Sequence, residues 1–363
     1  MFRRYQMISI KSQAIQKIVE QKVEFLVPGM ELARDIYTES GSVLATSSTI
    51  INKNLIEKLR KWNIDKVEII TEITTNPVVD PKIQKFINSY NQSVIIVQKT
   101  FDNIRQTQEV PIETFARAAD EIVDSVSTTG NVIDQLYNLP ECDDYTFRHS
   151  VNVSAIAALI ATWLKFPPDS ISAIALVGLL HDVGKSQLPA EILNKPYMLA
   201  SKDYELYKTH PSIGYDLVCK IPNIAQSVLL GILDHHERED GTGYPKQLSS
   251  EDIHPYAKII AVADMFDEML TINCDTPGAL SPYFSLEKVR NEIYRLDTKV
   301  CMTFTDNMMN FLSGNLVALS NGQQGRVVFV NKDKPSHSIV QQEDGTVIDL
   351  SEKKDLYIHY VIR

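Results

Sequence analysis

The spacing of apolar residues predicts where helices and strands lie in the first part of the chain. From Val23 to Ile70, apolar positions occur in short alternating runs that turns interrupt. An amphipathic stretch over Ile50 to Trp62 and a strand-like run over Lys66 to Ile70 close this part. The mixture predicts a small α+β module over residues 1–76, with a boundary at Asn76-Pro77, because the residue before a proline is pushed away from helical geometry.

A seven-residue repeat marks the next segment. Ile83, Tyr90, Val97 and Ile104 recur at that interval, which predicts a helix over about 82 to 108 within a linker at 77–110. The apolar face of this helix packs either on its own domain or against a second copy of the chain in a homodimer. Periodicity alone does not separate these two arrangements. We predict the second one, a homodimer in which this helix forms the seam.

The rest of the chain divides into a helical block and a β-rich end. Residues 111–312 show helical spacing throughout, and no convincing strand interrupts them. Residues 313–363 contain short β-type runs separated by hairpin-type turns at Asn321-Gly322 and Asp344-Gly345. The predicted fold is mainly α, with a helical core between a small N-terminal α+β module and a small C-terminal β module.

Charge and composition narrow the function classes. The chain of 363 residues has 36 Lys and Arg against 46 Asp and Glu, a formal net charge of −10, and no long basic run. Duplex nucleic acid is therefore not an expected partner, because binding to it rests largely on neutralisation of phosphates by basic patches. The four cysteines are widely spaced without a C-x-x-C pair, so neither a disulfide framework nor a thiolate zinc site is expected.

Hydropathy predicts neither a membrane span nor a secretory signal. The longest uncharged stretch, Ser150 to Leu164, is about 15 residues, whereas a spanning helix needs about 18 or more apolar residues. The basic start of the chain is not followed by the apolar core of a signal peptide. We therefore expect the protein in the cytoplasm.

A set of metal-ligand residue types falls in the helical block. Asp182 follows an apolar run that ends at Leu180, and Asp264 interrupts another, so both carboxylates are expected where helices are buried. Buried charge is costly unless it is paired or bound to metal. Six of the eight histidines lie in this block, and His254 stands apart from the other five. Those five and the two aspartates give seven candidate ligands: His149, His181, Asp182, His210, His235, His236 and Asp264.

The number and type of these ligands predict two divalent ions. Seven ligands with one bridging aspartate supply about eight of the twelve bonds that two octahedral ions require, leaving the rest for a hydroxide and substrate oxygens. An imidazole-rich set favours iron or manganese, and the pair matches the two-ion pattern of phosphodiester cleavage. Lys185, one helical turn beyond Asp182, would add positive charge for an anionic substrate; the alternative is a solvated surface lysine. Gly184 beside it would leave room for a phosphate.

Two motifs resemble a known family. HDVGK at 181–185 together with HHEREDGTGYP at 235–245 is similar to the HD-GYP phosphodiesterases, and YTFRHSVNV at 145–153, KTHP around His210 and AKIIAVADMFDEML at 257–270 match in order. The resemblance covers about residues 111 to 312. It implies an all-helical HD-type fold, the seven metal ligands named above, Lys185 as the phosphate contact, Asp182 and Lys185 as catalytic residues, and hydrolysis of cyclic di-GMP to pGpG or GMP. We expect Arg238, Gly243 and Tyr244 to line the substrate.

The sequence departs from the family pattern at two places. Tyr145 stands where some members have a glutamate that holds a third ion, which favours two ions. After the last metal aspartate the family usually has a D-R-P-Y-like segment with basic residues, whereas this chain reads TINCDTPGALSPY at 271–283 and has no Arg or Lys between Lys258 and Lys288. We therefore expect weak binding of cyclic di-GMP.

The leading hypothesis is thus a metal-dependent cyclic dinucleotide phosphodiesterase. One alternative is a catalytically weak signalling module that binds metal and nucleotide and contacts protein partners through the GYP loop. The other is a phosphohydrolase that acts on another nucleotide.

Overall fold

A computed structural model describes residues 15–23, 26, 30–38, 43–62, 64, 66–73, 81–128, 132–133, 136, 145–193, 200–271, 281–353 and 355–362. The chain divides into two compact units, Met1–Asp80 and Pro81–Arg363. Each unit has its own apolar core. The predicted boundary at residue 76, and Cys142 and Cys274, lie outside the described residues.

The first unit is a small α+β module. Strand β1 (Ile15–Lys22) pairs antiparallel with β5 (Lys66–Ile73), and β2 (Glu31–Leu32) pairs with the other edge of β5. Helix α1 (Lys53–Lys61) begins where the side chain of Asn52 accepts a hydrogen bond from the Leu55 amide at 2.9 Å. Strands β3 (Ile36–Tyr37) and β4 (Val43–Ala45) form a separate hairpin. The predicted α+β character of this part is confirmed.

The second unit is helical up to residue 312. Its helices are α2 (Pro81–Thr107), α3 (Ile112–Thr128), α4 (Tyr145–Trp163), α5 (Pro168–Leu180), α6 (Ala190–Leu193), α7 (Ser201–Tyr207), α8 (His210–Val218), α9 (Gln226–Asp234), α10 (Pro255–Thr271), α11 (Pro282–Asn291) and α12 (Thr298–Leu312). A 3₁₀ segment, Val183–Gln187, follows α5. Helix α4 explains the uncharged stretch after Ser150, because nearly every side chain from Val151 to Ala161 is buried. None of the helices among the described residues has both the length and the apolar character needed to cross a bilayer.

Helix α2 belongs to this unit and is not a separate linker. Tyr90, Val97 and Ile104, three of the four residues in the seven-residue repeat, are buried in the core that α2 shares with α3 and α4. The repeat is therefore explained by packing within the chain. The face expected to form a dimer seam is already covered, whereas Ile95 on another face of α2 is 49% exposed.

The C-terminal residues form an antiparallel sheet of strand order β10-β6-β7-β8-β9. Its strands are β6 (Leu316–Leu319), β7 (Gln324–Phe329), β8 (Ile339–Gln341), β9 (Val347–Asp349) and β10 (Ile358–Val361). Val317, Leu319 and Val327 lie in the same core as the helices. The sheet thus completes the helical unit, which differs from the predicted division into separate modules at residue 313.

The burial of α2 leads to a test that separates core packing from dimerisation. We expect Val97→Glu to lower the free energy of unfolding by about 3 to 5 kcal/mol, because the new carboxylate has no partner in the core. Ile95→Glu, on the exposed side of the same helix, should change it by about 0.5 kcal/mol or less. Chemical denaturation and light scattering measure both quantities. If Val97→Glu keeps the wild-type stability and changes only the oligomeric state, the result would support the predicted dimer seam instead.

Candidate metal centre

Seven buried side chains meet inside the second unit. They form two groups, in each of which the candidate ligand atoms lie within 4.8 Å of one another. The groups are His149, His181 and Asp264, and Asp182, His210, His235 and His236. The structure thus brings together all seven residues that the sequence singled out as candidate ligands.

Asp182 faces both groups. Its Oδ1 atom lies 3.2 Å from Nε2 of His210. Its Oδ2 atom lies 3.3 Å from Nε2 of His181 and 3.7 Å from Nε2 of His149. One carboxylate therefore presents an oxygen to each group, which is the arrangement expected of a bridging aspartate.

Backbone carbonyls fix the orientation of three of the imidazoles. Each of these rings ends a helix or begins one, where carbonyl oxygens of the last turn are available. In each case the Nδ1–H donates to the carbonyl oxygen three residues earlier: His181 to Gly178 at 2.7 Å, His210 to Tyr207 at 2.8 Å, and His235 to Ile232 at 2.7 Å. Because Nδ1 holds the proton, Nε2 presents a lone pair to the interior.

These lone pairs face one another at short range. Nε2 of His210 lies 3.4 Å from Nε2 of His235, and the carboxylate of Asp182 is on its other side. Nε2 of His181, Nε2 of His236 and Oδ1 of Asp182 are buried and have no hydrogen-bond partner within the part of the chain that the structure describes. Acceptors packed in this way repel unless a cation lies among them. The buried His/Asp group is therefore able to bind metal, and its imidazole-rich composition suits a divalent transition metal.

The protonation states of the ligands support this conclusion. Burial and the neighbouring imidazoles lower the pKa of His235 and of His236 well below the ordinary value, and burial lowers that of His210. Burial raises the pKa of Asp182, but His181 and Lys185 outweigh it and hold that pKa well below its usual range. His210, His235 and His236 are thus neutral imidazoles and Asp182 is an ionised carboxylate, which are the forms that bind metal. Burial lowers the pKa of His149, but its hydrogen bonds to Asp264 and Asp267 outweigh burial and raise that pKa well above the ordinary value.

Lys185 lies against the ligands and is not a solvated surface residue. Its Nζ atom donates to Oδ2 of Asp182 at 2.5 Å and lies 5.1 Å from the centre of the Tyr207 ring. Burial alone would lower the pKa of Lys185, but the carboxylate of Asp182 raises it well above its ordinary value. The lysine therefore stays charged beside the predicted ligands.

Gly184 does not leave room for a phosphate, contrary to the sequence prediction. A Cβ atom at this position would lie 2.0 Å from the carbonyl oxygen of His210 and 2.6 Å from the amide nitrogen of Gly214. The missing side chain lets the 3₁₀ segment approach α8, and that approach places Asp182 beside His210.

The GYP loop is attached to the histidines that precede it. The carboxylate of Glu237 accepts hydrogen bonds from the amides of Lys246 at 2.6 Å and Leu248 at 3.0 Å. The ring of Tyr244 stacks on that of His236, with centroids 4.7 Å apart and planes at 28°. The loop therefore fixes His236, and Tyr244 forms one wall of the site.

Two of the residues expected to line the substrate have local roles. The guanidinium of Arg238 donates to the carbonyl oxygens of His235 at 3.3 Å and Glu237 at 2.8 Å. Gly243 is buried, and a Cβ atom there would lie 2.4 Å from Cα of Glu237. Both residues thus hold the loop together, and their contact with substrate stays a prediction. The segment 272–280, where basic residues are missing, lies outside the described residues.

The sequence analysis missed groups that act on the ligands from other helices. Asp267 accepts a hydrogen bond from Nδ1 of His149 at 2.8 Å. Glu268 is a carboxyl group whose pKa burial and Asp264 raise to about 8. Both lie three or four residues after Asp264 on α10, a spacing that places them near it on a helix and could have identified them.

Comparisons with known proteins agree with this geometry. A model of the HD domain matches residues 134–283. A cyclic di-GMP phosphodiesterase from Pseudomonas aeruginosa is 33% identical over 235 residues, which cover 64% of this chain and 56% of the relative. A 3'3'-cGAMP-specific phosphodiesterase from Vibrio cholerae is 30% identical over 203 residues, which cover 53% of this chain and 43% of the relative. The chain thus spans about half the length of these curated relatives.

A solved structure shows the same fold. A HDG"Y"P protein from Bdellovibrio bacteriovorus aligns with a TM-score of 0.53 at 18% identity, over 80% of this chain and 99% of that chain. The HD-domain match includes the two motifs that supply Asp182, His235 and His236. On these grounds residues 134–283 form an HD domain, and the chain is similar to cyclic dinucleotide phosphodiesterases that match over part of their length.

Proposed function

We propose that the protein is a metal-dependent phosphodiesterase that hydrolyses a cyclic dinucleotide, with cyclic di-GMP as the first candidate and pGpG or GMP as the product. The observation that carries this proposal is the position of Asp182, which presents one oxygen to each of two buried ligand groups. Paired groups that share a carboxylate suit two adjacent ions, the pattern used for phosphodiester cleavage. The match to named cyclic di-GMP phosphodiesterases supports the choice of substrate.

The cofactors we propose are two divalent ions, iron or manganese. The two ligand groups support the number, and five imidazoles among seven ligands support the type of metal. When bound, such ions polarise phosphoryl oxygens and activate water. One ion would be held by His149, His181 and Asp264, and the other by His210, His235 and His236. Asp182 would bind both ions.

Lys185 supplies positive charge beside this centre. Its ammonium group is held on Asp182 and over the face of Tyr207, so its direction is set before a substrate arrives. A preoriented cation stabilises negative charge that develops on phosphate oxygens without reorganisation at the moment of reaction. The catalytic roles of Lys185 and Asp182 rest on this arrangement.

A second cyclic dinucleotide is a candidate substrate. The chain is also similar to a 3'3'-cGAMP-specific phosphodiesterase, which favours a test with both nucleotides. Contacts of the GYP loop with protein partners and formation of a homodimer stay predictions. Thr242 and Lys246 of the loop are exposed, which leaves part of it accessible to a partner.

The first test counts metal ions. After loading with Mn²⁺ and removal of excess metal, we expect about two ions per chain. Asp182→Ala should lose both ions because its oxygens face both groups, whereas His236→Ala should keep about one. Elemental analysis gives these numbers, and Asp252→Ala, at an exposed acidic residue, serves as control. A folded wild-type chain that binds no metal, or an Asp182→Ala variant that keeps both ions, would contradict the proposal.

The second test concerns Lys185. We expect Lys185→Ala to lower kcat of the Mn²⁺-loaded protein about 10²- to 10³-fold, the usual effect of removing one group that stabilises developing negative charge. Lys299→Ala, at an exposed position, should leave kcat unchanged. Steady-state kinetics with cyclic di-GMP measures both. If Lys185→Ala keeps the wild-type kcat, the lysine serves only to pair with Asp182.

The third test compares substrates. Metal-loaded protein is incubated with cyclic di-GMP, 3'3'-cGAMP and pGpG, and the products are separated by chromatography. We expect hydrolysis of cyclic di-GMP with a KM well above the low-micromolar range, because residues 271–283 lack basic side chains. Each charge-assisted hydrogen bond that is missing costs about 1.5 to 3 kcal/mol, roughly 10-fold to more than 100-fold in affinity.

Two outcomes of the substrate test would change the proposal. A low-micromolar KM for cyclic di-GMP would show that other groups bind its phosphates. If the metal-loaded protein hydrolyses none of the three nucleotides, the alternative of a signalling module that binds metal without turnover would be favoured.

A further inference from the structure

A chain of hydrogen bonds runs from helix α2 to the candidate ligand His149. The hydroxyl of Tyr90 on α2 donates to Oδ1 of Asn152 on α4 at 2.7 Å. The amide of Asn152 donates to Oδ1 of Asp267 on α10 at 2.8 Å. The other carboxylate oxygen, Oδ2, lies 2.8 Å from Nδ1 of His149. Three helices are thus joined through polar groups at this point.

The donors and acceptors in this chain specify one proton arrangement. Asp267 is a carboxylate, so it accepts from the Asn152 amide and from Nδ1–H of His149. With Nδ1–H donated to Asp267, Nε2 is the ring nitrogen of His149 that is directed at the other candidate ligands, and Oδ1 of Asp264 lies 3.0 Å from it. Hydrogen bonds of this kind to the second ring nitrogen orient metal-binding histidines and raise their basicity.

Tyr90 is an unusual residue for its place on α2. Most buried positions on this helix, such as Phe86, Val97 and Phe101, are apolar, and the buried hydroxyl of Ser93 donates to a carbonyl oxygen of the helix itself. Tyr90 is only 2% exposed, and its hydroxyl bonds to a different helix. Burying a phenolic hydroxyl costs free energy unless it is hydrogen-bonded. Phenylalanine would fill nearly the same volume, so the hydroxyl contributes through its hydrogen bond rather than through packing. That hydrogen bond is donated to the side chain of Asn152. Arg148, next to His149 in the chain, also approaches this hydroxyl, with Nε at 3.4 Å.

We propose that Tyr90 is a positioning residue of the metal centre, which acts on His149 through Asn152 and Asp267. The hydroxyl fixes the amide of Asn152 so that its N–H side faces Asp267. The amide holds one carboxylate oxygen, which leaves the other aligned on Nδ1 of His149. This inference rests on the proposed function only in requiring that His149 binds metal.

The test measures metal affinity directly. Mn²⁺ is titrated into the full-length protein in competition with a chromophoric chelator, for wild type, Tyr90→Phe, Asn152→Ala and the double variant. We expect Tyr90→Phe to weaken Mn²⁺ binding about 2- to 10-fold, the effect of one neutral hydrogen bond. In the Asn152→Ala background the same change should have little further effect, because the path to His149 is already interrupted.

Tyr283→Phe is the matched control. Tyr283 is fully buried in the same core, and its hydroxyl donates to the carbonyl oxygen of Leu312 at 2.5 Å, in a hydrogen bond that does not involve a candidate ligand. We expect this variant to lower Tm and to keep wild-type Mn²⁺ affinity. A second measurement is the Mn²⁺ concentration that gives half-maximal hydrolysis of cyclic di-GMP. Tyr90→Phe should raise that concentration and leave kcat at saturating Mn²⁺ unchanged.

The outcomes distinguish this inference from the proposed function. If wild type binds Mn²⁺ but Tyr90→Phe binds it equally well, or is weakened to the same extent with and without Asn152, the positioning role is wrong and the metal centre stands. If wild type binds no Mn²⁺, the proposed function is wrong, and the inference fails with it.

Discussion

Repulsion between buried lone pairs is the interaction on which this structure depends most. Imidazole nitrogens and carboxylate oxygens, Asp182 and His210 among them, face one another at 3.0 to 4.0 Å inside an apolar helical core. Such an arrangement is unfavourable by itself, and a bound cation converts it into a favourable one. Because the unfolded chain does not hold these groups together, metal binding contributes to the free energy of folding as well as to chemistry. Metal bound at this group would therefore contribute to the stability of the second unit.

The candidate ligands could be predicted because a charged residue that will be buried stands out in the sequence as an interruption of an apolar run. Asp182 and Asp264 interrupt apolar runs, and the adjacent His235 and His236 follow a helix that is otherwise apolar. Of the groups that orient these ligands, Asp267 leaves the same signal, because it interrupts the same apolar run as Asp264, whereas Asn152 and Tyr90 leave none. Asp267, Asn152 and Tyr90 lie on three helices, and only the packing of those helices shows that their side chains meet. The role of Gly184 was wrong for the same reason, since the His210 carbonyl that fills its space lies 26 positions further along the chain.

Predictions of the fold succeeded where periodicity was long and failed where it was short or shared by two arrangements. Helix α2 was placed within a residue of its observed ends, since its repeat extends over several turns. The same repeat fits a dimer seam and internal packing equally well, and only burial of Val97 separates them. Strand β1 was missed because charged and amide side chains interrupt its apolar positions. The module boundaries were predicted where the spacing of apolar residues changes from a helical to a β-type pattern. Such a change does not show that Val317 and Leu319 share a core with the helices.

The GYP loop shows how a motif can indicate function through residues that hold the candidate ligands in place. Glu237 binds two amides of the loop, Arg238 binds two carbonyl groups at its start, and Gly243 allows the loop to return onto Glu237. These contacts bring Tyr244 against His236 and set the direction of that ring. The motif is therefore a means of building a rigid segment with two adjacent imidazoles at its start. The motif therefore accounts for the placement of two candidate ligands and leaves the choice of substrate to other groups around the centre.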